Sequence, residues 1–320
     1  MKLPRRKFLH LAAGAVALPV VSRAAWGQVY PSRPIRIIVS VAAGGVDDLL
    51  VGLLEHRLPE RLGQPVRIDN QPDVGAYTKA ITNASPDGYT FVLVIAANAV
   101  SVVLGQGLNF DFARDMAPVA GISRNPFFVV VNPSVPVRTI PEFIAYAKAN
   151  PGNVNMASTG NASRIAGELF KMMTGVELVH VPFAGAAAAI TGLLSGQVQV
   201  MFATIPASVQ SIREGKLRAL AITSATRSEL MPDIPMVGDF VAGYEASGFQ
   251  GLGAPRNTPA EPIDRLNKEI NAALADPEFK ASLTKFGNTA LPLPPADFGK
   301  LMRDEIDKLT KVIKFAGMKG

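Results

Sequence analysis

The segment that decides the fold reads IRIIVSVAAGGVDD over residues 35–48. Residues 35–41 are largely apolar, which is typical of a strand buried on both faces of a parallel sheet. Leucines at helical spacing follow over residues 48–62, so a helix is predicted there. The glycine-containing loop 41–48 lies between them, and its backbone N–H groups can approach a ligand closely. The segment therefore predicts one strand–loop–helix unit of an α/β fold with an anion-binding loop.

The same alternation continues along the chain. Short apolar runs predict further strands at residues 66–68, 91–95, 119–123, 127–131, 154–157, 178–181, 198–202 and 217–223. Helical spacing predicts helices at residues 140–150, 163–174, 186–195 and 207–214. This pattern indicates an α/β protein in which parallel or mixed sheets are flanked by helices.

The last third differs, because helices follow one another there without predicted strands. The sequence TPAE at residues 258–261 predicts a capping box, with proline at the first helical position and a helix that ends near residue 274. Further helices are expected at residues 276–287 and 295–315. These helices should pack on an existing sheet, and the irregular stretch 232–248 is expected to carry the chain between two domains.

A second loop, ASTGNAS at residues 157–163, also joins a predicted strand to a predicted helix. A helix N-terminus carries a partial positive charge and small hydroxyl side chains add donors, so both loops favour a carboxylate. In open α/β sheets, ligands bind beyond the carboxyl ends of the strands, where both loops fall. Two such loops in two α/β halves predict a protein that binds an anion in a cleft.

The first 27 residues predict an export signal. Arg5 and Arg6 precede an apolar run over residues 11–21 and small residues up to Gly27. The run is too short to cross a membrane as a helix, and the RRKFL pattern is typical of a twin-arginine signal; an ordinary secretory signal is the alternative. We expect cleavage after Gly27 or Ala24 and a periplasmic mature protein.

The net charge of the chain belongs mainly to that signal. The 320 residues include 32 basic and 26 acidic side chains, a formal charge of +6. Removing residues 1–27 takes away five basic residues and no acidic one, which leaves a charge of about +1. No basic stripe with interleaved aromatic residues remains, so no nucleic-acid partner is expected.

The residue content argues against most enzyme classes. The chain has no cysteine, and only His56 and His180 lie outside the predicted signal. We expect His56 to be solvated and His180 to be structural, so neither a zinc site nor a Ser–His–Asp triad is predicted. Asp47 and Asp48 are open to a metal-binding or acid–base role, but a helix start capped by Asp48 is the simpler interpretation. We therefore expect no metal, no cofactor and no enzymatic activity.

Eight segments, in order along the chain, resemble the Bug or TctC family of solute-binding proteins. These are the extracytoplasmic receptors of tripartite tricarboxylate transporters. The resemblance covers essentially all of the chain after the signal. Its segments are YPSRPI (30–35), LGQPV (62–66), PDGYT (86–90), AGELF (166–170), HVPF (180–183), GKLRALA (215–221), GLGAP (251–255) and NAALADP (271–277).

The resemblance implies a two-lobed type II periplasmic binding protein fold, with lobes formed by residues 28–124 plus 250–320 and by residues 125–249. It also implies a small organic carboxylate held between lobes that close around it, with integral membrane transporter subunits as partners. We expect the receptor to be a monomer. The loops and the resemblance together give the expected ligand-binding residues: Val41, Ala43, Gly44, Gly45, Asp48, Ser158, Thr159, Gly160, Asn161, Ser163, Phe183, Gly185, Ala186, Ala203 and Thr204.

Two departures from the family pattern bear on the ligand. Family members commonly have lysine after the aromatic residue of HVPY and aspartate after MF, where this chain has Ala184 and Ala203. The loss of these charges weakens the case for a second charged contact and predicts a monocarboxylate with a neutral or apolar remainder. Two other functions stay open. One is a ligand-sensing partner of a membrane sensor; the other is a secreted serine hydrolase using Ser158 or Ser163, for which no activating base is visible in the sequence.

Overall fold

A computed structural model gives the fold of residues 30–43, 46–104 and 110–318. The predicted export signal and the loop residues Gly44 and Gly45 lie outside these described residues. Strands and helices alternate along most of the chain, and mixed sheets are flanked by helices. The predicted α/β class is therefore confirmed.

The first part of the chain alternates strands with helices and ends in one long strand. In chain order these elements are β1 (Ile35–Val39), α1 (Val46–Leu62), β2 (Val66–Asn70), α2 (Val74–Thr82), β3 (Thr90–Ile95), α3 (Ala96–Val103), α4 (Phe112–Asp115) and β4 (Met116–Val131). Residues 119–123 and 127–131, predicted as two strands, belong to the single strand β4. Helices α2, α3 and α4 were not predicted.

The middle of the chain repeats the alternation, and the last part is mainly helical. The middle elements are α5 (Ile140–Ala149), β5 (Asn155–Ser158), α6 (Asn161–Thr174), β6 (Val179–Pro182), α7 (Ala186–Leu194), β7 (Val200–Thr204), α8 (Ile205–Arg213) and β8 (Arg218–Ile222). A 3₁₀ turn at Val237–Asp239 follows. The last elements are β9 (Ser247–Pro255), α9 (Ala260–Leu274), α10 (Pro277–Lys285), β10 (Thr289–Ala290) and α11 (Pro295–Phe315).

Strand β4 takes part in two sheets. Its residues 116–126 pair antiparallel with β9, whereas its residues 127–131 pair antiparallel with β7 and β8. On the β9 side the strand order is β2-β1-β3-β9-β4, and β1 is parallel to both β2 and β3. On the other side β5 is parallel to β6 and β7. The chain therefore forms two lobes, the first around β1–β3 and the second around β5–β8, joined through β4 and β9.

Strand β9 begins at the end of the stretch 232–248 that was predicted to be irregular, and no strand was predicted at its residues. It is buried along its whole length between β3 and β4. Glycines at 248, 251 and 253 hid it from sequence reasoning, because glycine is depleted in strands. A Cβ on Gly251 would lie 2.1 Å from Phe298 Cζ, and one on Gly253 would lie 2.3 Å from Met116 Cε. Close packing above the strand therefore requires these glycines.

Helix α9 begins without the predicted capping box. Its N-cap is Pro259, and no side chain caps its first turn. Thr258 Oγ1 instead donates a hydrogen bond to Pro255 O at 2.7 Å. The predicted capping role of Thr258 is wrong because its hydroxyl closes the turn between β9 and the helix.

Each sheet is buried on both faces. In the first lobe, Leu54 and Leu266 belong to the core on one face, and Phe298 belongs to the core on the other. In the second lobe, Phe170 and Leu193 belong to two separate core clusters. Helices therefore cover both faces of each sheet, and the ends of the strands are left uncovered.

Helix α11 contacts both lobes. It packs on β4, on α3 of the first lobe and on α6 of the second lobe. Phe298 and Met302 in its first half join the core of the first lobe. Leu309 and Val312 in its second half join the core that contains α6. The helix therefore spans the junction that β4 and β9 cross.

The carboxyl ends of the parallel strands in the two lobes face each other across one stretch of β4. Ile95 at the end of β3 lies opposite Gln250 of β9, and Gln250 pairs with Ser123 of β4. Thr204 at the end of β7 lies opposite Phe127 of β4. Strand β3 runs in the direction of β4 and β7 runs against it, so their ends approach from opposite sides. Ser123 and Phe127 are about 13 Å apart along a strand, which is the width of the cleft at its base.

Two features are absent from the part of the chain that the structure describes. Within residues 30–43, 46–104 and 110–318, no helix is both long enough and apolar enough to cross a membrane. In the same ranges, no three His, Asp or Glu side chains are grouped so that they could hold a metal ion.

Two glycines inside helices provide a matched test of this packing. A Cβ at Gly52 in α1 would meet no atom within 4 Å, so Gly52→Ala should raise the free energy of unfolding by about 0.5–1 kcal/mol. A Cβ at Gly167 in α6 would lie 2.1 Å from Met156 Sδ, so Gly167→Ala should lower the free energy of unfolding by about 1–3 kcal/mol. Urea unfolding followed by circular dichroism measures both changes. Equal effects would contradict the close packing of α6 on β5.

Candidate functional site

Asn70 holds the loop after β1 at both of its ends. Asn70 Nδ2 donates hydrogen bonds to Val41 O at 3.1 Å and to Asp48 Oδ1 at 2.7 Å. Asp48 lies in the first turn of α1, where a negative charge interacts favourably with the helix dipole. Val41 is half-buried and Ala43 is exposed. The interactions of Asn70 therefore fix the start and the end of the loop whose central glycines lie outside the described residues.

Gln250 connects the start of α1 to the strands that join the lobes. Its Nε2 donates to Asp47 Oδ1, and its Oε1 accepts a hydrogen bond from Ser123 Oγ of β4. Burial raises the pKa of Asp47, and the hydrogen bond from Gln250 partly offsets this effect. Carboxyl groups with a raised pKa are enriched at functional sites. The first loop is thereby attached to β4 and β9.

Asn98 joins the ends of β1 and β3. Helix α3 begins directly after β3, with no intervening loop. Asn98 Oδ1 accepts a hydrogen bond from Ile95 N at 2.9 Å, and Asn98 Nδ2 donates to Ser40 Oγ at 3.2 Å. Asn98 is buried, so these contacts are shielded from water. The carboxyl edge of the first lobe is therefore fixed by side-chain hydrogen bonds.

Three helices of the second lobe begin at one sheet edge without a side-chain cap. Gly160, Gly185 and Thr204 are the N-caps of α6, α7 and α8, and none makes a side-chain hydrogen bond to its helix. The strands before them, β5, β6 and β7, are parallel, so all three N-termini lie at the same edge. By contrast α2, α5 and α10 are capped by the side chains of Asp73, Thr139 and Asp276. The edge that borders the cleft therefore offers backbone N–H donors that no cap side chain occupies.

Ser158, at the end of β5, pairs with a histidine. Ser158 Oγ lies 2.6 Å from His180 Nε2, and Ser158 is only 3% exposed. Burial lowers the pKa of His180, and the charge of Arg164 lowers it further. The imidazole is therefore neutral at pH 7. Sequence reasoning expected a structural histidine and did not predict this contact.

Ser163 holds the loop between β5 and α6 through hydrogen bonds to its backbone. Ser163 Oγ accepts a hydrogen bond from Thr159 N at 3.0 Å and donates one to Gly160 O at 3.2 Å. Ser163 is buried, whereas Gly160 and Asn161 are exposed. Gly160 and Asn161, with the exposed Ala162 that follows them, are therefore the part of this loop that a ligand can reach directly.

The loop between β6 and α7 presents backbone rather than side chains. The ring of Phe183 is half-buried and packs over Gly192, since a Cβ there would lie 2.8 Å from the ring. Gly185 has extended backbone, and a Cβ on it would meet no atom within 4 Å. Ala186 is the first residue of α7. Of the predicted contacts in this loop, Gly185 and Ala186 lie at the uncapped helix start.

The two predicted contacts at the end of β7 differ in exposure. Ala203 is fully buried in the core of the second lobe. Thr204 is exposed, and its carbonyl oxygen accepts a hydrogen bond from Ser208 Oγ at 3.0 Å. The Ala203 side chain is therefore a packing group, and Thr204 is the residue at this strand end that solvent reaches.

A cavity of about 380 Å³ lies where the lobes meet. Its walls come from α3 of the first lobe, the start of α6, residues 246–248 at the start of β9, and α11. Gly160 and Asn161 are the predicted site residues that line it. Pockets of about 300–1,000 Å³ are typical of small-molecule sites. The cavity therefore adds a space of ligand size to the uncapped start of α6.

Four charged residues form an ion-pair cluster beside this cavity. Lys308 Nζ donates to Glu305 Oε1 at 2.8 Å, to Glu245 Oε2 at 3.1 Å and to Glu245 O at 3.0 Å. Arg124 Nη1 donates to Glu245 Oε1 at 2.7 Å. Burial raises the pKa of Glu305, an effect that Lys308 partly offsets. The cluster links α11 to β4 and to the segment before β9, and its two positive and two negative charges balance.

Two α/β lobes joined by long strands, with open helix starts at the cleft between them, define a solute-binding protein. Residues 52–318 match the tripartite tricarboxylate transporter family receptor, TctC. The chain belongs to this family, which confirms the resemblance found in the sequence. Among its relatives, BugT of Bordetella pertussis is 31% identical over 97% of this chain and 96% of its own length.

Solved structures with the same fold contain carboxylates. The R. palustris protein Rpa4515 with adipate is 32% identical, with a TM-score of 0.69 over 90% of this chain and 98% of that one. MatC from Rhodopseudomonas palustris with bound malate is 28% identical, with a TM-score of 0.65 over 89% of this chain and 100% of that one. The two-lobed periplasmic binding protein fold expected from the sequence is thereby confirmed.

Sequence reasoning missed the residues that hold the site in place. Asn70, Asn98 and Gln250 were not singled out, and the contact of Asp47 with Gln250 was not predicted. Each lies at or beside the carboxyl end of a parallel strand, or on the strand next to it. A polar residue at such a position is the signal that could have identified them.

The raised pKa of Asp47 gives a pH test of its position. Asp47 in the unfolded chain ionises near pH 3.8, whereas the folded protein keeps the proton to higher pH. The folded state therefore loses stability from this group as the pH rises through the raised pKa. Asp47→Asn removes that loss and keeps an acceptor for Gln250. The melting temperature of Asp47→Asn minus that of the wild type should therefore be larger at pH 7 than at pH 4. Thermal melts at the two pH values measure this, and a constant difference would contradict the burial of Asp47.

Proposed function

We propose that the protein is an extracytoplasmic receptor that captures a small organic carboxylate and presents it to the integral membrane subunits of a tripartite transporter. The uncapped starts of α6, α7 and α8 at the edge of the second lobe carry this proposal. Their N–H groups and helix dipoles bind an anion without a cationic side chain. Adipate and malate, the molecules named with two structural relatives, are carboxylates and support this ligand class.

The two lobes supply opposite walls of the site. Residues 28–124 plus 250–320 form the proposed first lobe, and residues 125–249 form the second. The change of sheet between Pro126 and Phe127, and the start of β9 at Ser247, support boundaries near these positions. A carboxylate on the second-lobe edge would draw the first-lobe loop toward it, and closure would exclude water from the anion.

The proposed compartment is the periplasm, reached through the twin-arginine signal at residues 1–27. The absence of cysteine suits an oxidising compartment, since no thiol is present to form incorrect disulfides. We expect the mature receptor to act as a monomer without a metal or a cofactor.

The short distance between Ser158 and His180 favours a serine hydrolase as the alternative function. Ser158 Oγ lies 2.6 Å from His180 Nε2, which is the contact that a nucleophile and its base require. Ser158 is only 3% exposed, and no carboxylate among the described residues hydrogen-bonds to His180. The receptor function is therefore the better supported. Ester turnover by the purified protein that Ser158→Ala abolishes would favour the hydrolase.

A new cap at the start of α7 should compete with the bound carboxylate. Gly185→Asp fits the extended backbone and places a carboxylate over the N–H groups of the first turn. The free energy of unfolding of the unliganded protein should stay unchanged or rise by up to about 1 kcal/mol. Carboxylate affinity should fall at least about tenfold through repulsion at short range. Isothermal titration calorimetry measures the affinity, with the carboxylate that gives the largest shift in a thermal-shift screen including adipate, malate and 3-phenylpropanoate.

Gly185→Asn is the matched control for this substitution. Asparagine caps a helix about as well as aspartate but carries no charge, so it should reduce affinity less than Gly185→Asp does. A ligand at about 100 times its dissociation constant should stabilise the wild type by about 2.7 kcal/mol. Wild-type affinity in Gly185→Asp would remove the start of α7 from the site.

A further inference from the structure

The cavity at the junction of the lobes is lined mainly by apolar side chains. Val100 of α3, Ile165 and Leu169 of α6, and Leu309 and Val312 of α11 form its walls. Its volume is about 380 Å³, whereas about 150 Å³ of apolar cavity accommodates benzene in a protein core. An aromatic ring or a branched hydrocarbon therefore fits this space.

Polar groups also line the cavity. Gly160 and Asn161 at the uncapped start of α6 line it, and both are exposed. Ser247 also lines it and is only 7% exposed, yet its Oγ has no hydrogen-bond partner among the described residues. A buried hydroxyl without a partner is costly to a fold. Two independent features, the open helix start and the unpaired hydroxyl, thus point to a polar ligand group in this cavity.

The walls that the described residues form offer no free cation for a second carboxylate. Lys308 is the one basic residue among those described that lines the cavity. An ammonium group has three donors, and Lys308 directs hydrogen bonds to Glu305 Oε1, Glu245 Oε2 and Glu245 O. Glu305 also lines the cavity and would repel an additional anion. The charge pattern therefore favours a ligand with one carboxylate and an uncharged remainder.

We propose that the ligand is an amphiphilic monocarboxylate whose ring or branched apolar end fills this cavity, with its carboxylate at the start of α6 and a hydrogen bond to Ser247. This inference rests on the proposed receptor function and specifies its substrate class. It assigns α11 and α3 a direct part in specificity, in addition to the loops at the strand ends.

Calorimetry on the mature chain tests the ligand class with three probes. The probes are 3-phenylpropanoate, adipate as a dicarboxylate of similar length, and 3-phenylpropanamide as a neutral analogue. 3-Phenylpropanoate should bind at least about tenfold more tightly than adipate, because burying a phenyl ring contributes that much. It should also bind more tightly than the amide, since the amide lacks the charge that the helix start favours.

Substitutions on two walls test where the apolar end lies. Ala97 of α3 and Ala162 of α6 are exposed and line the cavity, so a larger side chain at either position reduces its volume without entering the core. Ala97→Leu and Ala162→Leu should each weaken 3-phenylpropanoate binding at least about fivefold. Ala281→Leu places the same side chain at an exposed position of α10 away from the cavity and should bind as the wild type does.

Ser247→Ala tests separately whether the Ser247 hydroxyl contacts the ligand. Removing an unpaired buried hydroxyl should leave the melting temperature of the unliganded protein unchanged or raise it, while 3-phenylpropanoate binding weakens about 3- to 10-fold. Adipate binding at least as tight as that of 3-phenylpropanoate, or wild-type affinity in Ala97→Leu and Ser247→Ala, would overturn the inference and leave the receptor function standing. No binding of any carboxylate in the screen would overturn both.

Discussion

The antiparallel ladder between β4 and β9 is the constraint on which the rest of the structure depends. Strand β3 pairs with β9, and β7 and β8 pair with the far end of β4, so both lobes take their position from this ladder. Gly251 leaves the space that the ring of Phe298 occupies, and Gly253 leaves the space of Met116. A side chain at Gly251 would push α11 away from the sheet, and one at Gly253 would displace the Met116 side chain of β4. The close packing of α11 on the strands that join the lobes therefore depends on the missing Cβ of Gly251.

The proposed anion site relies on backbone dipoles rather than on side-chain charge. Helices α2, α5 and α10 use Asp73, Thr139 and Asp276 as caps, each worth about 0.5–2 kcal/mol. Helices α6, α7 and α8 forgo this contribution and keep their N–H groups available at the cleft. Arg124 and Lys308, which lie at the junction, are already engaged with glutamates. On the proposed function, a mature chain with a charge of about +1 would bind an anion through these dipoles and discriminate by the shape of the ligand's uncharged part.

Much of the fold could be predicted from the sequence, because buried strands such as β1 and β7 are apolar runs that stand out from their neighbours. Strand β9 could not be predicted, because its glycines make room for the side chains of Phe298 and Met116, which lie far away in the sequence. Helix α3 was hidden because its apolar residues continue those of β3 without a break. The loops of the candidate site were predictable from composition. Gln250 was not, because its partner Asp47 lies 203 residues away in the chain.

Helix α11 places a mechanical limit on how the lobes can move. Its first half is embedded in the core of one lobe and its second half in the core of the other. A pure hinge rotation about β4 and β9 would have to break the packing of α11 in one of the two cores. Packed helices, by contrast, tolerate small sliding displacements. A displacement of one lobe relative to the other would therefore include sliding along α11. Such sliding must also displace the side chains of α3 and α6 that pack on this helix.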